Sequence, residues 1–135
     1  MRSRGRTLVA IIGSVWILAG CGESDELTGK LYTVENGKVD AKTLQGWETW
    51  RAGGCQRCHD DLGRGVAMGP SLVESLKKLS RKDFKSTVVE GRADKGMPSF
   101  GEDQQVVDNL DHLYAYLKGR SDGAIPPGKL AAIGM

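Results

Sequence analysis

The chain has 135 residues, 39% of them hydrophobic and 6% aromatic, with three cysteines and a formal net charge of +2. That length fits one small domain with a limited core, which a bound group or a covalent staple would help to hold. An odd cysteine count, with two of the three in one tight motif, excludes a disulfide framework.

At the start of the chain, Arg2, Arg4 and Arg6 precede an uncharged apolar run from Leu8 to Leu18. This is the layout of a secretory signal, too short for a comfortable membrane span. The run ends in Leu18-Ala19-Gly20-Cys21, which resembles the lipobox of bacterial lipoproteins. There the small residues enter a protease cleft and the cysteine thiol carries the lipid. The expected division is a signal peptide over 1–20 and a lipidated N-terminus and tether over 21–41. Cys21 would anchor the exported protein to a membrane on the periplasmic side, held by two or more acyl chains. An ordinary signal peptide with an incidental Cys21 is the alternative. Without residues 1–20, 16 Lys and Arg face 17 Asp and Glu, a net charge of −1. A near-neutral domain argues against nucleic acid as a partner.

Residues 22–42 are polar and punctuated by glycine, with one short alternation at Leu31-Tyr32-Thr33-Val34 that reads as a strand-like piece. From Asp40, a capping residue, Leu44, Trp47 and Trp50 fall at helical spacing up to the Gly53-Gly54 break. Residues 60–70, with Gly63, Gly65, Gly69 and Pro70, read as a loop. A short helix is expected over Ser71–Leu79. Ser80-Arg81-Lys82-Asp83 forms a variant capping box, opening a helix with Phe84, Val88 and Val89 inward and Gly91 as its stop. Residues 92–101 form a second loop, holding Met97-Pro98. The last helix is expected from Asp103 to Lys118, with Val107, Leu110, Tyr114 and Leu117 as its apolar stripe. Pro126-Pro127-Gly128 rules out helix beyond it and places an extended tail over 121–135 on the surface. The fold class is all-α, with long loops.

The tightest spacing of chemistry-bearing residues is Cys55-Gln56-Arg57-Cys58-His59. C-x-x-C-H is the signature of c-type haem attachment. Two thiols add to the two vinyl groups of one porphyrin, and the adjacent histidine offers an imidazole nitrogen to the iron. Export fits, because that attachment takes place outside the cytoplasm. A zinc site would need Cys55, Cys58, His59 and the distant His112, an odd spacing. A thioredoxin-like dithiol would need a βαβ setting that the pattern lacks.

For the second axial position, Met68 follows His59 by only nine residues and Met135 is terminal. Met97, 38 residues downstream of His59, leaves room for a helix to cross before the chain returns. A thioether is neutral and soft, and favours Fe(II). His112 falls off the expected apolar stripe and reads as a solvated helix position. With His59 and Met97 both on iron, no site remains for a substrate, so a single-haem electron carrier is expected rather than an enzyme. A haem sensor or peroxidase-like protein with a labile sixth ligand, and a docking subunit of another dehydrogenase or oxidase, are the competing readings.

The order Gly46, Trp50, Cys55-x-x-Cys58-His59, Gly69-Pro70-x-Leu72, Met97-Pro98 and Leu113-Tyr114-x-Tyr116-Leu117 resembles a class I cytochrome c over about residues 42–118. The resemblance implies one covalent haem c with its iron inside a cytochrome c domain over 42–120. It also implies that Gly46 and Trp50 cross the last helix near Leu113, Tyr114 and Leu117. It gives the Pro70 region the carbonyl that accepts from His59. Four residues separate Trp50 from Cys55, where the family usually has three, and Gly53-Gly54 can absorb the extra one as a bulge. Arg64, Trp47 and Tyr116 are candidate propionate partners. The stretches VDAKTLQGWETW, SLVESLKKLS and LYAYLKGRSDGAI resemble the c-type cytochromes of bacterial methanol oxidation, although the extra cysteine pair of that subgroup is missing. This implies a quinoprotein alcohol dehydrogenase as electron donor, and a terminal oxidase or another cytochrome as acceptor. Lys77, Lys78, Arg81, Lys82, Lys85, Arg92 and Lys95 crowd between the haem motif and Met97, either as a steering field or as a solvated helix face.

Overall fold

The structure, a computed structural model, describes residues 29–135. The expected signal over 1–20 and Cys21, the residue expected to carry lipid, lie outside the described residues. Six α-helices, one 3₁₀ turn and one two-stranded hairpin make up the regular structure among the described residues, none of these helices long and apolar enough to cross a membrane.

The hairpin comes first, β1 (Val34–Glu35) against β2 (Lys38–Val39), antiparallel. Its Asn36-Gly37 turn takes positive φ at both residues, the backbone that a tight hairpin requires. Asp40 then opens α1 (Ala41–Ala52). Its carboxylate accepts from Thr43 N at 2.9 Å, Thr43 Oγ1 at 2.7 Å and Thr33 N at 2.6 Å, so one side chain caps the helix and fastens the hairpin. Burial works against ionisation there, but the bonds from Thr43 and Thr33 win and hold the carboxyl below the usual carboxylate range.

The deeply buried face of α1 is Thr43, Gly46, Thr49 and Trp50, with Leu44 and Trp47 on its flanks. The expected stripe is therefore rotated, because Gly46 sets the contact. A Cβ built on Gly46 would lie 2.0 Å from the carbonyl oxygen of His112, a distance that only glycine permits. The partner is α6 (Leu110–Ser121). The bulge at Gly53-Gly54 leaves this crossing intact: Gly53 ends α1 in αR geometry and Gly54 takes φ +69. The extra residue is spent after the helix, and Trp50 stays 1% exposed with its ring 6.4 Å from that of Tyr116.

After the short α2 (Gln56–His59) and a loop come α3 (Leu72–Ser75) and α4 (Arg81–Glu90). Ser80 accepts from Asp83 N at 3.1 Å, and Gly91 ends α4 at φ +71. Phe84 and Val88 face inward, Phe84 5.4 Å from the Tyr114 ring. Asp111 joins α4 to α6 through Arg81 at 3.0 Å and Lys85 at 2.8 Å.

The expected last helix is two helices, α5 (Gln104–Asp108) and α6, broken at Asn109. The Asn109 amide donates to Gln105 O at 2.8 Å and its backbone takes φ −110. Asparagine competes with the helix for such local bonds. The break resets the helical phase, so Val106 rather than Val107 is fully buried. The tail also differs from its expected place on the surface. It has no helix, yet Ile125, Leu130 and Ala132 are buried. Val39 N donates to Ala131 O at 3.0 Å, and Val39 O accepts from Ile133 N at 2.8 Å. The tail thus becomes a third strand-like partner of the hairpin over α6.

Candidate functional site

Cys55, Cys58 and His59 stand on a single helical turn. His59 N donates to Cys55 O at 3.0 Å and Cys58 N to the same oxygen at 3.2 Å. Residues three and four apart share one face, so both thiols and the imidazole face the same way. No disulfide joins the two cysteines. As a thiol, before any bond to a bound group, Cys55 is pushed up to about 11 by burial.

His59 is buried, and its Nδ1 lies 2.9 Å from the Pro70 carbonyl. A carbonyl only accepts, so Nδ1 carries the proton and Nε2 keeps a free lone pair. The loop that presents this carbonyl is packed so closely that a Cβ on Gly69 would sit 2.5 Å from Cys58 O. Gly65 N donates to His59 O at 3.0 Å, and Leu72 N to Gly63 O at 2.8 Å.

Met97 projects from the loop after α4. It pairs with Arg92 in both directions, Arg92 N to Met97 O at 2.9 Å and Met97 N to Arg92 O at 3.0 Å. A 3₁₀ turn at Ala93–Lys95 and Gly96 in αL close the loop between them. Met97 is partly buried against the core, whereas Met68 is 68% exposed.

These groups line one cavity of about 780 Å³, within the range of cofactor sites. Its walls include Leu72, Leu79, Phe84, Val88, Leu113 and Leu117, with Met97 and Met68 on the lining too. Arg57, Lys78, Arg92 and Lys95 also line it and are exposed. Arg64, Trp47 and Tyr116, the candidate propionate partners, do not line the cavity. The Trp50 indole N–H is buried without a partner. Among the described residues, no three His, Cys, Asp or Glu side chains converge to hold a metal ion, so the zinc set with His112 is not assembled. His112 instead pairs with Asn109 Oδ1 at 3.1 Å.

An apolar cavity, two thiols and an imidazole on one turn, and a thioether on the same lining fit haem c. Residues 41–117 match the family model described as cytochrome c oxidase, cbb3-type, subunit III. The chain belongs to this cytochrome c family, as a monohaem class I member carrying covalent haem c and its iron, an electron carrier. It is 42% identical over 92 residues to cytochrome c-555 of Methylococcus capsulatus (strain ATCC 33009 / NCIMB 11132 / Bath), covering 68% of this chain and 73% of that one. It is 33% identical over 103 residues to cytochrome c-553I of Paracoccus denitrificans, covering 72% of this chain and 45% of that one. Among solved structures it is similar to the c-type cytochrome XoxG from Methylobacterium extorquens AM1, with TM-score 0.65 and 32% identity over 70% of this chain and 60% of that one.

Sequence reasoning missed three features of the site. Arg57 joins the rim because it shares the haem turn, a signal present in the motif. The basic cluster is also divided: Lys77 pairs with Glu74 at 2.8 Å, and Arg81 and Lys85 with Asp111, leaving Lys78, Arg92 and Lys95 on the cavity. Arg120 reaches the loop before α3 at Leu62 and Ser121 reaches α3 itself at Val73, and no local pattern announces contacts over 58 and 48 residues.

Proposed function

We propose that the chain is an exported, membrane-tethered electron carrier with iron held between His59 and Met97. Its donor is a quinoprotein methanol or alcohol dehydrogenase, and it passes electrons on toward the respiratory chain. The observation that carries the ligand set is the common cavity lined by both His59 and Met97, with His59 Nδ1 engaged by the Pro70 carbonyl.

Bound haem supplies one-electron chemistry at iron. Cys55 and Cys58 would hold it through thioether bonds. Pro70 fixes the His59 ring and raises its ligand strength. Leu72, Phe84, Leu113 and Leu117 exclude water, and a dry apolar wall disfavours the more highly charged oxidised site. Two protein ligands leave no place for a substrate, so the chain is not an enzyme. Arg57, Lys78, Arg92 and Lys95 give the cavity mouth a positive field that would steer an acidic partner face.

The donor class rests on the resemblance of residues 39–50, 71–80 and 113–125 to methanol-oxidation cytochromes. It is tested by stopped-flow mixing with a purified quinoprotein alcohol dehydrogenase from the same cell. Fast, saturable reduction of the haem is expected. A protein that ascorbate reduces and the dehydrogenase does not would remove this donor. The anchor is tested by labelled palmitate: wild type takes up label, and Cys21→Ala is unlabelled and released into the soluble periplasm.

A further inference from the structure

Two hydrogen bonds tie residues 62–73, the loop before α3 and the first turn of that helix, to the last turn of α6. Arg120 donates through Nη2 to the Leu62 carbonyl at 3.0 Å and through Nη1 to the Ile125 carbonyl at 2.9 Å. Ser121 Oγ donates to the Val73 carbonyl at 2.6 Å, and Ser121 is buried. Between these anchors the chain is stiffened from inside. Gly63 O accepts from Leu72 N at 2.8 Å and from Val73 N at 3.1 Å, and Val66 and Gly69 pair in both directions. Pro70 lies in that span, with its carbonyl on His59. The helix that supplies these anchors is itself fixed against α1 at Gly46.

We propose that Arg120 and Ser121 are positioning residues for the Pro70 carbonyl, and that through it they set the ligand strength of His59 and hence the reduction potential. The inference rests on the His59 ligation proposed above. A carbonyl accepting from Nδ1 draws the imidazole toward imidazolate, a stronger donor that favours Fe(III). Hydrogen bonds weaken steeply with poor angle and length. Releasing the loop at Leu62 or Val73 frees the Pro70 carbonyl to drift and shifts the balance toward Fe(II). Arginine suits the first anchor because its planar fork spans carbonyls on two segments, which a lysine cannot do with the same geometry.

The test uses the full-length holoprotein with Arg120→Gln, Ser121→Ala and the double variant. Two quantities are read: the potential by spectroelectrochemical titration, and exchange of the hyperfine-shifted His59 Nδ1 proton by NMR. At a fixed applied potential, the Fe(II)/Fe(III) ratio is expected to rise about threefold in each single variant and further in the double one, with faster proton exchange. Arg120→Lys should fall between. Tyr32→Phe removes a 2.8 Å bond to Asp122 beside the same helix end without touching the loop. It should leave both readouts at wild type. A double variant with lowered Tm but unchanged potential and exchange overturns the proposal. If the double variant does not retain haem, Ser121→Ala alone decides by the same readouts. Failure of the underlying ligation is distinguishable, since wild-type His59 would then show no hyperfine shift.

Discussion

The two loops that bring side chains to the cavity are held in different ways. Residues 60–71 carry the carbonyl for His59; they are bonded internally, anchored to α6 at Leu62, and followed directly by α3, whose Val73 carbonyl is the second anchor to α6. Residues 91–101 carry Met97. Among the described residues, their hydrogen bonds return only to themselves, to α4 and to the turn at Asp103: Ser99 Oγ to Val89 O at 2.6 Å, Phe100 N to Val88 O at 3.1 Å, Arg92 Nη2 to Thr87 Oγ1 at 3.3 Å. The histidine side is therefore hydrogen-bonded to the helical frame, while the methionine side packs on the core but is hydrogen-bonded to one helix, α4. Perturbing the frame should reach His59, and perturbing α4 or its loop should reach Met97. Local opening is expected to begin at the less anchored loop.

The largest test of this asymmetry removes each proposed ligand in turn. His59→Ala should lower the yield of haem-bound protein about tenfold or more, read by haem staining on a denaturing gel. Met97→Ala should keep the haem attached, lose the weak red band of a thioether–Fe(III) bond and gain CO binding. Next comes the frame. Gly46→Ala forces helix backbones apart and should cost about 3 kcal/mol, lowering Tm by about 10 °C or more.

Within the loops, Gly69→Ala should cost about 3 kcal/mol, because the new methyl meets the backbone at Cys58. Gly96→Ala meets no atom within 4 Å and carries only the penalty of its φ of +81, about 1 kcal/mol. Equal costs in urea melts would erase the distinction between the loops. Asp40→Ala, at the hairpin junction outside both loops, should cost about 1 kcal/mol at neutral pH. The Asp40 carboxyl is depressed in the folded state, so its contribution is full above the unfolded carboxylate value of about 3.9. It is lost as pH falls through the lower folded value, so the two proteins should converge in acid. The smallest effect concerns encounter. Lys95→Ala, on the methionine loop, should slow reduction by the donor about twofold at low salt and not at high salt. Arg64→Ala should do little, since Arg64 pairs with Asp60 at 2.9 Å.

Features written in local code were legible in the sequence. The haem turn, the caps at Asp40 and Ser80 and the stop at Gly91 each depend on residues within a few positions. The crossing at Gly46 was readable through its resemblance to a family, and the Gly53-Gly54 insertion left it in place because both glycines lie beyond the last turn of α1. What escaped depends on distant partners. The burial of Ile125 and Leu130 needs the face of α6, and the strand pairing of residues 131–133 needs Val39. Asn109 is the exception, a local signal: it looks like an ordinary helix residue until its amide bond to Gln105, four residues back, is seen. Arg120 and Ser121 look like solvated residues at a helix end.

The pairing of Val39 with the tail has a consequence for how the domain can be wired. Lys38 reaches the Met135 carbonyl, so the entering and leaving chain segments lie side by side. On α6, Gly119 faces Tyr32 and Ile125, whereas Leu113 and Leu117 face the cavity. Both leads thus attach behind the molecule, away from the port through which charge passes. A plug with both wires at the back can be mounted on a lipid, spliced to another module or lengthened at either end, and its contact face stays the same.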